Sequence, residues 1–143
     1  MMQTIFHVAF PIADLEQAKQ FYVQGLGCQL GRENRHSLIL NLGGHQLVGH
    51  LATELTPQAG IYPRHFGLIL TTEADWQTLC DRAQAHQLKF REAPKRRFSG
   101  TDLEHVTFFL EDPFYNLLEF KYYLHSEVIF GARDYHQIGD RPE

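Results

Sequence analysis

Two histidines and one glutamate occupy positions where they could bind a metal ion. His7 lies in the apolar alternation of residues 3–10, and His65 follows 58 residues later in Arg64-His65-Phe66-Gly67, a run of the same kind. Glu119 sits inside Leu117-Leu118-Glu119-Phe120. A carboxylate in such a run is expected to be buried, and burying it unpaired costs several kcal/mol or forces its protonation. A divalent ion removes that cost. Two neutral imidazoles and one carboxylate form the facial set of non-haem Fe(II), and they also suit Mn, Zn or Ni. His50 is open to three readings: a fourth ligand, an acid/base group, or a surface residue. His45 and His105 are further candidates beside the ion, and His36, His86, His125 and His136 read as surface.

The elements that would carry these residues occur twice. Residues 3–10 alternate as a strand, with Ile5, His7 and Ala9 on one face and Phe6, Val8 and Phe10 on the other; Pro11 closes it. Asp14 caps a helix with Leu15, Ala18, Phe21 and Tyr22 on one stripe, ending near Gly25 and Gly27. Strands follow at Cys28–Arg32, His36–Leu42 and His45–Leu51, the last two joined by Gly43-Gly44. After a loop over 52–63 the order repeats: strand Arg64–Thr71, helix Ala74–His86, strand Leu88–Arg91, a polar loop from Pro94 to Gly100, and strands Glu104–Leu110 and Tyr115–Tyr122. Ala13-Asp14 recurs as Ala74-Asp75, and Gln29-Leu30 as Gln87-Leu88. Such a duplication predicts two βαβββ units that pair around a common core. Pseudo-symmetry then sets His7 and His65 at equivalent positions facing one cleft. Ala9 and Gly67 are their small same-face neighbours and leave room for an ion. The expected architecture is a single α+β domain over 1–143: unit one at 3–51, unit two at 64–122, and a tail at 123–143 whose apolar Val128-Ile129-Phe130 docks on the body or on a second subunit. The strands form a curved, mostly antiparallel sheet around the cleft, with the helices outside.

Composition narrows the functional classes. The chain has 143 residues, 43% hydrophobic and 21% charged, which suits one globular domain. A formal charge of −4 argues against a nucleic-acid partner. Lys95-Arg96-Arg97 reads as a solvated loop or as a contact for an anionic ligand. The opening residues carry no secretory pattern, and no apolar run reaches the roughly 20 residues of a membrane span. Two cysteines outside any C-x-x-C pair read as buried fillers, and the expected setting is cytoplasmic.

The chain resembles the vicinal oxygen chelate superfamily of glyoxalase I, extradiol dioxygenases, fosfomycin-resistance and bleomycin-binding proteins. The resemblance covers about residues 4–122. It rests on His7-Val8-Ala9-Phe10 with Asp14-Leu15, Phe21-Tyr22 and Leu26-Gly27, on Arg64-His65-Phe66-Gly67, and on Glu111-Asp112-Pro113 leading through Asn116 to Leu118-Glu119-Phe120. It implies metal ligands at His7, His65 and Glu119, with His50 at the fourth-ligand position of glyoxalase I. It also implies one divalent ion per site (Fe²⁺ first, then Ni²⁺, Zn²⁺ or Mn²⁺), a small-molecule substrate that chelates the ion through vicinal oxygens, and a homodimer whose sites lie within one chain or are shared between two. A dioxygenase-like enzyme with His50 or His45 as acid/base is the first expectation. Phe108-Phe109 stand where extradiol enzymes carry a tyrosine, and those chains are about twice as long, so a glyoxalase- or lyase-type isomerisation is the close alternative. Ala9 departs from the polar residue of the fosfomycin group. A metal-free small-molecule-binding module and a partner-binding domain that uses the apolar tail are the non-enzymatic alternatives. Loops 52–63 and 94–103, with Tyr62, Arg64, Arg96, Arg97 and Phe98, are the expected cleft walls for an aromatic or anionic compound.

Overall fold

The computed structural model describes residues 1–141; the last two residues of the expected tail, 142 and 143, lie outside the described residues. Each half of the chain forms its own four-stranded sheet. In the first, β1 (His7–Ile12), β2 (Gln29–Glu33), β3 (Ser37–Leu42) and β4 (His45–Leu51) run in the order β1-β4-β3-β2. In the second, β5 (Phe66–Ile69), β6 (Phe90–Arg97), β7 (His105–Glu111) and β8 (Leu117–Tyr123) run in the order β5-β8-β7-β6. The first strand of each unit pairs parallel to the last, and the other pairs are antiparallel. This is the expected α+β duplication, built as two sheets whose edge strands β1 and β5 adjoin through Phe10 and Phe66, ring centroids 5.4 Å apart.

Strand alternation decides what each sheet buries. Val8, Phe10 and Ile12 on β1, Leu38, Leu40 and Leu42 on β3, and Phe108 and Leu110 on β7 face a shared core with the helices. Asp14 caps α1 (Leu15–Lys19), its carboxylate accepting from the Gln17 N–H, and the chain continues as a wide π-helical turn over Gln20–Gly25. Thr72 caps α2 (Glu73–Ala85) in the same way through the Asp75 N–H. The two helical segments meet where Arg82 donates to the carbonyls of Gly25 and Gln24. Trp76 on α2 donates its indole N–H to the Phe120 carbonyl at 2.8 Å, which fixes the helix on its sheet.

Two elements differ from expectation. β1 does not stop at Pro11 but continues to Ile12, because Pro11 lies on the edge strand, where a missing N–H breaks no ladder bond. The polar loop expected from Pro94 is instead the second half of β6. That strand is also an edge, its register shifts twice between Phe90 and Lys95, and such bulges accommodate Pro94. As a result Arg97 is a buried strand residue, 6% exposed, rather than part of a solvated loop.

The Asp112–Asn116 turn locks the two units together. Asp112 accepts from the Tyr22 hydroxyl at 2.7 Å, from the Phe114 and Asn116 N–H groups and from the Asn116 side chain, which also donates to the Pro11 carbonyl. Burial first, and then the neighbouring Asp112, push the Tyr22 hydroxyl well above its usual pKa, so it remains a donor. Tyr22→Phe leaves Asp112 buried and short of one donor. The expected loss is about 1–3 kcal/mol in urea denaturation, with no change in the far-ultraviolet spectrum.

Candidate metal site

His65 and Glu119 meet on the second sheet. His65 directly precedes β5, and Glu119 lies opposite Gly67 in the parallel β5–β8 pairing. A side chain at Gly67 would collide with the Glu119 peptide, since a Cβ there would fall 1.7 Å from its carbonyl oxygen. Gly67 therefore makes room for the strand that carries the carboxylate; the expectation that it makes room for an ion is corrected.

His65 Nε2 stands 3.2 Å from Glu119 Oε1. The His65 Nδ1–H donates to the Ile61 carbonyl at 2.8 Å, so Nε2 is the nitrogen directed at the carboxylate, and it donates to Glu119 when the ring is protonated. Thr107 donates to Glu119 Oε2 at 2.7 Å, while Arg97 and Lys121 lie 3.7 and 3.8 Å from the carboxylate. Burial pushes Glu119 upward, but His65, Lys121 and Thr107 outweigh it and bring the pKa down to about 2. Hydrogen bonding to Glu119 raises His65 against the opposing effect of its own partial burial. The donor set suits a divalent ion: two ligands at about 2.1 Å from one ion stand roughly 3.0–3.4 Å apart, and a metal-binding imidazole is commonly oriented by a carbonyl on its other nitrogen.

His7 is the counterpart of His65 on the first sheet. Its Nδ1–H donates to Gln46 Oε1 at 2.7 Å, across the His7–Gln46 register pair, leaving Nε2 bare. The expectation that it faces His65 and Glu119 within one chain is not met. Among the described residues, no group of three His, Cys, Asp or Glu side chains is placed to hold an ion. His7 and Glu119 belong to two separate sheets, and the shared core occupies the helix-facing side of each. His7, Ala9 and Pro11 stand on the opposite, exposed side of β1, and Glu119 stands on the opposite side of β8.

The register also relocates the fourth position. Val48 lies opposite Ala9 as Glu119 lies opposite Gly67, so Val48 rather than His50 is the register counterpart of Glu119. His50 sits one same-face step further on, opposite Pro11, and its Nδ1 bonds the Ser37 hydroxyl at 2.7 Å. Four register positions separate it from the residue opposite His7, about 13 Å along the sheet. His45 shares the core-side parity of Leu47 and Gly49, and its Nδ1 accepts from the Phe6 N–H, so it lies on the face away from His7. The register thus sets His50 well along the sheet from His7, and His45 on the other face of its strand. Thr107 and Gln46, which orient the candidate ligands, were not anticipated. Thr107 was legible as the polar residue in Val106-Thr107-Phe108; Gln46 had no such mark.

The tail docks on the body. Leu124 donates to the Glu104 carbonyl, Val128 is buried, and residues 135–140 run beside the second sheet, where the Tyr135 hydroxyl reaches Asp102 and the Asp140 N–H donates to the Tyr62 hydroxyl. Phe130 remains 97% exposed.

The chain matches the Glyoxalase/Bleomycin resistance protein/Dioxygenase superfamily over residues 4–120, and it belongs to that superfamily. A glyoxalase/bleomycin resistance protein/dioxygenase from Alicyclobacillus acidocaldarius is 40% identical, with a TM-score of 0.85 over 89% of this chain and 96% of that one. A genomically encoded fosfomycin resistance protein from Listeria monocytogenes shares the fold at 14% identity, with a TM-score of 0.68 over 89% and 98% of the two chains. So does a lactoylglutathione lyase from Agrobacterium tumefaciens, at 18% identity and a TM-score of 0.64 over 85% and 94%. A search of curated proteins gives no match. No helix among the described residues is long and apolar enough to cross a membrane.

The ion pair makes the metal-free protein pH-sensitive in a defined way. Glu119 is depressed from 4.5 to about 2, so its stabilisation is present above 4.5 and is lost as pH falls through 2. His65 is raised from 6.5, so its stabilisation is full below 6.5 and is lost as pH rises through the raised value. Thermal unfolding of chelator-treated protein should show a plateau between these limits. Glu119→Gln should flatten the acid side, removing on the order of 2–3 kcal/mol of pH-dependent stability.

Proposed function

We propose that this superfamily member is a divalent-metal enzyme of dioxygenase-like type, acting on a small molecule that chelates the ion through vicinal oxygens. His65 and Glu119 of one copy would hold the ion together with His7 of a second copy. The observation that carries this reading is that His65 Nε2, its ring oriented by a backbone carbonyl on Nδ1, is directed 3.2 Å from a buried, ionised carboxylate, in the place where a bound ion would replace the proton between them. His7 supports it from the other sheet, with the same nitrogen bare and its ring exposed for a partner. Because Val48 stands at the fourth position, the protein supplies three ligands, and the remaining positions are left for substrate. A bound ion would act as a Lewis acid towards negative charge developing on the chelating oxygens. The chain's own residues would set the surroundings: Thr107 fixes one carboxylate oxygen, and Phe109 packs edge-on against His65 with ring centroids 5.0 Å apart, limiting the ring's motion.

One feature supports a second reading, a metal-free small-molecule-binding module. Glu119 already has Thr107, His65, Arg97 and Lys121 around it, so its burial is compensated by protein groups alone.

Metal content separates the two readings. Protein purified without a histidine tag under anaerobic conditions should carry near one ion per chain, and Glu119→Gln and His7→Ala should each lose it. Iron favours the oxygenase; nickel or zinc favours an isomerase or lyase. Mixing the two variant chains tests sharing: a heterodimer of His7→Ala with Glu119→Gln regains one intact site if sites span two copies, and none if they lie within one. No ion in wild type after reconstitution would sink the enzyme reading in favour of the binding module.

A further inference from the structure

Beside the His65–Glu119 pair lies a buried cation whose nearest carboxylate, Asp140, comes from the tail, with Glu92 Oε1 3.9 Å from the same nitrogen. Arg97 is 6% exposed. Its Nη1 stands 3.7 Å from Glu119 Oε2, and its Nη2 donates to Asp140 Oδ2 at 2.6 Å. Its Nε is buried without a partner. The residue paired with Arg97 across β6–β7 is His105, 3% exposed, and the Nε2 of that ring is also buried without a partner. The His105 Nδ1–H donates to the Leu103 carbonyl at 2.9 Å, and burial lowers the ring's pKa, so in the neutral ring Nε2 is an acceptor. His105 and Lys121 line a cleft of about 330 Å³ between the sheet and the tail, together with Phe98 and Tyr123.

A buried guanidinium with an unused donor, next to a buried acceptor, is costly unless something completes it. Asp140 completes it only in part. This carboxylate is 42% exposed, sits beyond the superfamily match that ends at residue 120, and is held by Lys95, Arg97 and a backbone contact to Tyr62. We propose that Arg97 is the carboxylate-recognition residue of the substrate site, and that Asp140 is an internal stand-in that a substrate carboxylate displaces. The substrate class is a small carboxylate with a hydroxyl on the neighbouring carbon and an aromatic or apolar body. The carboxylate takes the Arg97 fork, the hydroxyl donates to His105 Nε2, and the body lies against Phe98 and Tyr123. Because the Arg97 guanidinium spans from Asp140 to Glu119, a carboxylate held there has its neighbouring oxygen close to the proposed ion. This inference names the substrate class of the proposed site and rests on that reading for the role of the ion, but not for the binding of the anion.

The test uses mandelate, with mandelamide as its uncharged counterpart, titrated into full-length, chelator-treated protein and followed by NMR. Asp140→Asn removes the nearest competing charge from an exposed position and leaves Glu92 in place, and the fold is checked by its thermal midpoint. If the latch is closed about nine-tenths of the time, opening it tightens mandelate binding about tenfold. Mandelamide should gain nothing, and adding Arg97→Gln to Asp140→Asn should abolish the gain. No gain in Asp140→Asn, or an equal gain for mandelamide, overturns the proposal even if the Arg97 variant fails to fold. The same samples titrated with Zn²⁺ keep the two readings apart. Ion binding without a mandelate response overturns only the carboxylate assignment, whereas a mandelate response without ion binding overturns only the metal reading.

Discussion

The parallel pairing of the first and last strands in each unit is the constraint on which the rest depends. It sets a histidine at or just before the start of the first strand, two residues from the position opposite one outward-facing residue of the last strand, and it does so twice. In unit two that outward-facing residue is Glu119, and the close approach over Gly67 brings its peptide hard against β5. The carboxylate then has no water to rely on. Thr107, His65, Arg97 and Lys121 are arranged around it, and His65, Lys121 and Thr107 outweigh its burial strongly enough to keep it charged. Strand alternation does the remaining work, because the same pleat that turns Leu118 and Phe120 into the core turns Glu119 away from it.

The two units have diverged on that outer face. All seven residues of β7 are buried, since helices cover one side and the tail approaches the other. The corresponding face of the first sheet is open, with His7, Ala9, Pro11, Asn41 and His50 exposed. One unit thus carries a buried, charged carboxylate ringed by donors, and the other carries an imidazole on an uncovered surface.

Much of this was legible in the residues. The duplication was visible because Ala-Asp and Gln-Leu pairs recur, and the burial of Glu119 followed from its apolar neighbours. The capping role of Asp14 was equally plain. What could not be read was register. His50 looked like the partner of Glu119 because both lie in the last strand of a unit, yet one same-face step separates them, and only the hydrogen-bonded ladder shows it. Parity likewise removed His45, since a residue at the start of a strand gives no sign of which face it will join. Lys95-Arg96-Arg97 misled for a different reason. Charge in sequence suggests solvent, but on a bulged edge strand alternate residues part company, and Arg97 turns inward while Arg96 stays out to pair with Glu104.

The equivalence of Val48 and Glu119 bears on how reactions diversify within this superfamily. Duplication leaves two aligned strands, each with a slot on the face turned away from the core. One slot here holds an acid and the other a β-branched alkane. In the proposed metal site, a carboxylate at that single position would turn three protein ligands into four and withdraw one coordination place from the substrate. Redox chemistry that needs open coordination and isomerisation that does not would then be neighbours in sequence space, separated by one side chain in a scaffold that need not otherwise move.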